Sequence, residues 1–205
     1  MKKYLIFDLD DTLIKSGNNV LKVILEQLRK YHDYDEELAR YVFTKTWWKP
    51  LKTQIKLIFS NKSQEEIEKI TTDIYDKLAK LKSEFFPGVP ELIKKLCENY
   101  KLYLTTWNST QFAKQHLEKA LIYQCFEKIL GSDKILKWPD HLQIFKELSA
   151  DENFFEKAVY IWDGNSDREF AKMFDIDFVH IWNEGKDKYE IPVVTQLPEI
   201  LDRLG

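Results

Sequence analysis

The stretch KYLIFDLDDTL, residues 3–13, passes from a run of aromatic and branched apolar side chains into Asp8, Asp10 and Asp11, and then Thr12. A short apolar run of this composition, ended by carboxylates, reads as a buried strand and not as a helix. Asp8 and Asp10 stand two apart, so in a regular strand they share a face. Where the chain leaves the strand, both can converge on one cavity. Close carboxylates repel unless they share a cation or a proton, and oxygen ligands of this kind suit Mg²⁺. Taken alone, the stretch is also compatible with a solvated acidic turn.

Similar runs recur outward from it at 101–106 (KLYLTT), 158–163 (AVYIWD) and 176–181 (IDFVHI), and more weakly at 127–130 (EKIL). Helical patterns separate them. Val89, Leu92, Ile93 and Leu96 surround Pro90 at an expected first helical position, and Leu117, Ala120 and Leu121 follow Ser109 or Thr110. Asp140 with Gln143 sets up a capping box ahead of Ile144, Phe145 and Leu148. Strand and helix thus alternate from residue 89 onward, which predicts an α/β fold with a mostly parallel sheet covered on both faces. Residues 16–86 break the alternation with helical periodicity: Val20, Ile24, Leu28 and Tyr31; Leu38, Tyr41 and Val42; Ile55 and Ile58; then Ile67, Ile70, Ile74, Leu78 and Leu81 behind Ser63 and Glu66. The expected organisation is a core of residues 1–15 and 87–205 with an all-helical insert, 16–86, between the first two strands of its sheet.

Composition bounds the function. With 205 residues the chain has room for one domain and a smaller insert, and 29 aromatic residues argue against disorder. A formal charge of −3 gives no overall cationic field for nucleic acid or an anionic membrane. Residues 15–86 carry 14 Lys+Arg against 11 Asp+Glu, a mildly basic insert over an acidic remainder. Cys97 and Cys125 read as free thiols, and no Cys/His pair has zinc-finger spacing. Asp8 interrupts the apolar N-terminus too early for a signal peptide, and no apolar stretch approaches the ~20 residues that cross a bilayer. A cytoplasmic protein, monomeric or weakly dimeric, is expected. The four histidines, His32, His116, His141 and His180, have no metal spacing and read as surface or capping residues.

Ligands of open α/β sheets bind at the carboxyl ends of strands, so what each strand delivers there is informative. The second core strand delivers Thr105 and Thr106, followed by Trp107, Asn108 and Ser109, a hydroxyl beside exposed backbone N–H groups that can cradle phosphate oxygens. The fourth delivers Asp163 and, past Gly164 and Asn165, Asp167. Four carboxylates from two strands need a counter-charge, which Mg²⁺ supplies. In GSDKILKWPD, Lys134 and Lys137 are rival candidates for an ammonium that neutralises phosphate.

This constellation resembles the haloacid dehalogenase-like (HAD) hydrolase superfamily, in particular its phosphatases with a small helical cap. The run Asp8, Leu9, Asp10, Asp11, Thr12 looks like the family's first motif, Thr106 like its second, and the pair Asp163 and Asp167 like its fourth. DREFAKMFDI (167–176) is similar to the helix and strand that follow, and FFPGVPELIKKL (85–96) to the return from cap to core. Three tryptophans depart from the pattern: Trp162 stands where glycine is usual, Trp107 follows the motif threonine, and Trp138 separates Lys137 from Pro139.

The resemblance implies a Rossmann-like core with an inserted helical cap, Mg²⁺ as cofactor and a small phosphorylated metabolite as substrate. It implies that Asp8 is the nucleophile, that Mg²⁺ is held by Asp8, Asp10 through its carbonyl and Asp163, and that Asp10 is acid and base. Thr106 and Lys137 would bind the transferring oxygens, Asp167 would order the metal's water or the lysine, and Asn108, Gly164 and Asn165 would edge the pocket. A carboxylate at position 10 favours an oxygen leaving group, since departing halide needs no acid and dehalogenating members typically lack it. A sugar-phosphate mutase of the same family and a non-catalytic module that binds a phosphate ligand are the alternatives. The basic, Trp-bearing segment TKTWWKPLKTQIK (44–56) raises a nucleic-acid end phosphatase as a variant. It is read instead as a cap turn in which Trp47 and Trp48 pack between helices, while Lys49 and Lys52 can reach the leaving group.

Overall fold

The computed structural model describes residues 1–46, 49–133, 135, 137–163, 171–181 and 197. The chain runs β1 (Tyr4–Asp8), β2 (Ile14–Lys15), α1 (Gly17–Leu28), α2 (Glu36–Thr46), α3 (Leu51–Ile58), α4 (Gln64–Leu78), β3 (Glu84–Phe85), α5 (Val89–Leu96), β4 (Lys101–Thr106), α6 (Thr110–Lys119), β5 (Phe126–Gly131), α7 (Leu142–Ser149), α8 (Phe154–Lys157), β6 (Ala158–Trp162) and β7 (Asp177–His180). Each of the five apolar runs becomes a strand of one parallel sheet, in the order β5-β4-β1-β6-β7. The progression from β1 goes through β4 to β5, then returns to the other side for β6 and β7. The switch point therefore lies between β1 and β6, where such sheets open a crevice.

All five residues of β1 are buried because its alternating side chains feed two different cores. Leu5 and Phe7 pack with Leu104, Val159, Ile161, Ile93 and Phe112, on the side of α5 and α6. Tyr4 and Ile6 pack with Tyr103, Tyr160, Phe145 and Phe154, on the side of α7 and α8. A strand covered on both faces has no polar face to show, which is why the sequence reads as a continuous apolar run.

The four helices α1–α4 lie between β2 and β3 and share their own core, including Ile24, Phe43, Ile55, Ile70 and Ile74. The fold is thus a Rossmann-like parallel sheet with an inserted α-helical cap. The chain's two crossings into the cap pair side by side, Ile14 with Phe85 and Lys15 with Glu84. On that ground we propose to keep the boundaries near 15/16 and 86/87. Ser63 caps α4 as its sequence predicts, its hydroxyl accepting from Glu66 N while the Glu66 carboxylate accepts from Ser63 N.

Two local expectations are corrected. In α2 the buried residues are Ala39, Val42 and Phe43, whereas Leu38 and Tyr41 are exposed. Both triplets satisfy helical spacing in so short a helix, and burying Phe43 leaves no hydroxyl in need of a partner. Asp140 and Gln143 form no capping box, since α7 has no side-chain cap and Gln143 donates to Glu147. A single π-type turn, Lys137–His141, runs directly into α7, so α7 does not begin with the four orphan N–H groups that a capping box serves.

Glycine is required at two positions. Gly88, ahead of α5, has φ of 79°, with Pro90 one residue further into the helix than its sequence suggests. At Gly131, the end of β5, the atoms nearest an added Cβ are all backbone: Thr110 N closest of all, then the Asn108 carbonyl oxygen and the Ser109 carbonyl carbon, each at 2.5 Å. Backbone cannot rotate aside as a side chain can, so the 108–110 loop must shift. Gly131→Ala is expected to destabilise the protein by about 2–3 kcal/mol, measured by urea unfolding. Because Asn108 sits on the displaced loop, activity should fall as well.

Candidate active site

Asp8 continues the parity of Tyr4 and Ile6, so its carboxylate emerges on the α7 side at the end of β1. There the π-type turn delivers Lys137, whose Nζ donates to Asp8 Oδ1 at 2.7 Å. The lysine is fully buried. Its ammonium lies 3.1 Å from the centroid of the Trp162 ring and 5.3 Å from that of Trp107, so two aromatic faces share the charge with the carboxylate. A π-type turn holds one more residue than an α turn, which accommodates the extra Trp138 between Lys137 and Pro139 without moving the lysine out of reach. Burial pushes the Asp8 carboxyl well above the usual carboxylate range; Lys137 opposes that shift, while Asp10 and Asp163 add to it.

The turn after β1 is built to present Asp10. Leu13 N and Ile14 N both donate to the Leu9 carbonyl, and Asp11 takes φ of 54°, a left-handed conformation that aspartate tolerates better than most residues. Ser16 N donates to Asp11 Oδ1 at 3.1 Å, closing the turn. The Asp10 carboxylate receives three donors: Ser16 Oγ on Oδ1, and Thr106 Oγ1 at 2.9 Å and Asn108 Nδ2 at 2.8 Å on Oδ2. Asn108 N in turn donates to Thr106 Oγ1 at 3.0 Å.

Asp163 stands across the switch point, one residue past β6. Its Oδ1 accepts from Thr12 Oγ1 at 3.3 Å, and its carbonyl lies 3.0 Å from His180 Nε2. Desolvation first, and the Asp11 charge second, push its carboxyl up to about 7. His141, the last residue of the π-type turn, contacts Thr105 Oγ1 through Nδ1 at 2.8 Å. Burial first, and the Lys137 charge second, hold its pKa down to about 3, so it is a neutral strut between β4 and the turn that carries Lys137. That corrects the surface reading of His141. It also applies to His116, which is buried and accepts from Ser83 N.

Asp8, Asp10, Asp163, Asn108 and Lys49 all line one cavity of about 120 Å³ between sheet and cap, together with Trp107, Trp162 and residues of α1, α3 and α4. Thr106 and Lys137 sit directly behind it, bonded to Asp10 and Asp8. Lys52 is elsewhere, in an exposed pair with Glu68. Trp47, Trp48, Lys134, Gly164, Asn165 and Asp167 lie outside the described residues. Sequence reasoning missed Ser16, His141 and the cap residues Ile24, Tyr75 and Leu78. Helical spacing in α1 and α4 flagged Ile24 and Leu78 as buried but could not say that a cavity borders them.

The expected cluster of four carboxylates is only partly met. Among the described residues, no three His, Cys, Asp or Glu side chains come close enough together to hold a metal ion. The Asp10 carboxylate is turned into its three donors, and Lys137 is the counter-charge on Asp8. The donor set still suits a hard cation: Asp8 and Asp163 are oxygen ligands whose carboxyls are pushed up first by burial and then by neighbouring carboxylates, a combination that a bound cation would offset.

Residues 5–181 match the family model described as haloacid dehalogenase-like hydrolase. No curated protein matches the sequence. Solved structures share the fold. A haloacid dehalogenase-like family hydrolase from Streptococcus pneumoniae aligns with TM-score 0.70 at 19% identity, covering 100% of this chain and 99% of that one. CbbY from Rhodobacter sphaeroides, solved in complex with phosphate, gives 0.68 at 16%, covering 93% and 92%. A 2-haloacid dehalogenase from Pseudomonas syringae pv. Tomato DC3000 gives 0.66 at 16%, covering 100% of each. Fold likeness thus spans more than one chemistry, and it is the match over residues 5–181 that decides membership: the chain belongs to the haloacid dehalogenase-like hydrolases.

Proposed function

We propose that the protein is a Mg²⁺-dependent phosphatase that hydrolyses a small phosphomonoester through an aspartyl-phosphate intermediate. The observation that carries this reading is the pairing of two unlike carboxylates at the switch point, Asp8 buried against an ammonium and Asp10 held by three donors. Asp8 Oδ attacks phosphorus, a P–O bond forms to the carboxylate and the P–O bond to the alcohol breaks. Asp10 gives its proton to the departing alkoxide, then takes one from the water that attacks the phosphoaspartate and releases inorganic phosphate. Two of the donors on Asp10 are hydroxyls, Ser16 and Thr106, which can rotate to accept when Asp10 is protonated, so either form keeps its partners. Asp8, the Asp10 carbonyl and Asp163 would hold the cation, with Asp167 in support. When bound, Mg²⁺ offsets repulsion between the entering carboxylate and the phosphate dianion. Asp10 also separates this reading from dehalogenation, where the leaving halide needs no proton.

Asp10→Asn tests the acid. It should lose ~10²-fold or more on an alkyl phosphate but far less on an activated aryl phosphate, whose leaving group departs without a proton. An equal loss on both substrates would remove Asp10 from that role.

Metal binding carries its own pH signature. The Asp163 carboxyl is raised from its unfolded value to about 7, so in the metal-free protein its contribution to stability is present below about pH 4 and is lost as pH rises towards 7. Mg²⁺ binds only the ionised form. The rise in melting temperature on adding Mg²⁺ should therefore be larger at pH 8 than at pH 5.5, as thermal unfolding at matched ionic strength will report. A shift independent of pH would count against Asp163 as a ligand.

A further inference from the structure

The cap side of the cavity is mostly apolar. It contributes Val20 and Ile24 from α1, Leu51 from α3 and Leu78 from α4. Among the described residues its polar groups are Lys49, Tyr75 and Gln54, the amide nitrogen of Gln54 being already committed to the Thr46 carbonyl at 2.7 Å. Facing these are the rings of Trp107 and Trp162, two of the three tryptophans by which this chain departs from the family pattern. The Trp107 Nε1 proton donor is buried and has no partner among the described residues.

Resting on the phosphatase reading, we infer that the alcohol portion of the substrate is apolar and carries an aromatic ring, an arylalkyl phosphate whose ring lies between the aliphatic cap wall and the two indoles. A sugar or polyol phosphate would set several hydroxyls against a wall on which Val20, Ile24, Leu51 and Leu78 offer no partner, and each hydroxyl left unpaired there weakens binding. An aromatic ring needs only surface. The volume is of the right order: an apolar cavity of ~150 Å³ takes up benzene, and this one is about 120 Å³ with the carboxylates at one end. Offset ring-on-ring packing against the indoles adds to the area buried.

The test compares two alkyl esters of similar intrinsic reactivity, 2-phenylethyl phosphate and glycerol 3-phosphate, with Mg²⁺ present and acetyl phosphate as a reporter of phosphoryl transfer without a ring. The phenylethyl ester should show kcat/KM at least tenfold higher, equivalent to about 1.4 kcal/mol. In Tyr75→Ala and Leu78→Asn that ratio should fall at least fivefold, with a greater loss on the phenylethyl ester than on acetyl phosphate. In parallel, calorimetry measures the non-hydrolysable 3-phenylpropylphosphonate against 3,4-dihydroxybutylphosphonate, expecting the same preference. Equal or reversed preference in both arms overturns the inference, as would a nucleoside monophosphate preferred over the phenylethyl ester. Tighter phenyl-phosphonate binding without turnover of any ester or acetyl phosphate would overturn the phosphatase reading and retain the site for an apolar ring.

Discussion

Asp8→Asn is expected to lower turnover by ~10⁴-fold or more while leaving the protein folded. An amide has nearly the size of a carboxylate but is a poor nucleophile and carries no charge to be balanced by Lys137. Removing one partner of a buried ion pair commonly costs 3–5 kcal/mol, because the other charge is left uncompensated. Here the cost should be smaller, within about 2 kcal/mol. The amide oxygen can still accept from Lys137 Nζ, now 2.7 Å from Asp8 Oδ1, and two neighbouring carboxylates, Asp10 and Asp163, no longer repel a third. The checks are phosphate release under saturating Mg²⁺, the thermal midpoint, and the mass of the protein quenched in acid during turnover. The parent protein should carry a phosphoryl adduct on the peptide containing Asp8, and the variant none. Residual turnover within tenfold of the parent would remove Asp8 from the nucleophile's role.

Lys137→Met should be the next most damaging change. Methionine keeps the length and the contact with both indoles but removes the one cation that, among the described residues, bonds Asp8. The expected loss in kcat/KM is ~10²–10³-fold, the scale of deleting one charge-assisted donor from a desolvated site. Its direction with pH is fixed. Lys137 is what opposes the desolvation of Asp8, so without it the carboxyl rises further and a smaller fraction is ionised at any given pH. The acid limb of the pH profile should move to higher pH, and the loss should be worse at pH 6 than at pH 8. Lys137→Arg should rescue little, since a planar guanidinium does not fit the slot between Asp8 and the Trp162 ring. Lys134→Ala should cost less than tenfold. A severe loss confined to Lys134 would transfer the role to that residue.

Much of the fold was legible along the chain because it rests on local patterns. Four strands of the sheet announced themselves as apolar runs and β5 did so more weakly, while the capping box at Ser63 and Glu66 marked the start of α4. The phase of α2 was not legible, because Tyr41 and Phe43 compete for the same turn of a short helix. Nor was the start of α7, where a π-type turn replaces the expected cap.

The candidate site divides in the same way. Which carboxylates leave β1 together, and which strand end supplies Thr106, can be read along the chain, since both follow from two-residue alternation and from position relative to a strand end. What those groups touch is set by packing between distant elements. Lys137 reaches Asp8 because β1 parity and the extra residue of the π-type turn bring them to the same side of the sheet, 129 positions apart in the chain. Asp10 meets Thr106 and Asn108 because β1 and β4 are neighbours in register, Asp8 beside Thr105. The cap wall borders the carboxylates only because α1 and α4 fold back over the switch point. Periodicity records which side chains are buried, since burial is a property of one residue and its element; the identity of the neighbour is a property of two distant elements, and packing alone fixes it.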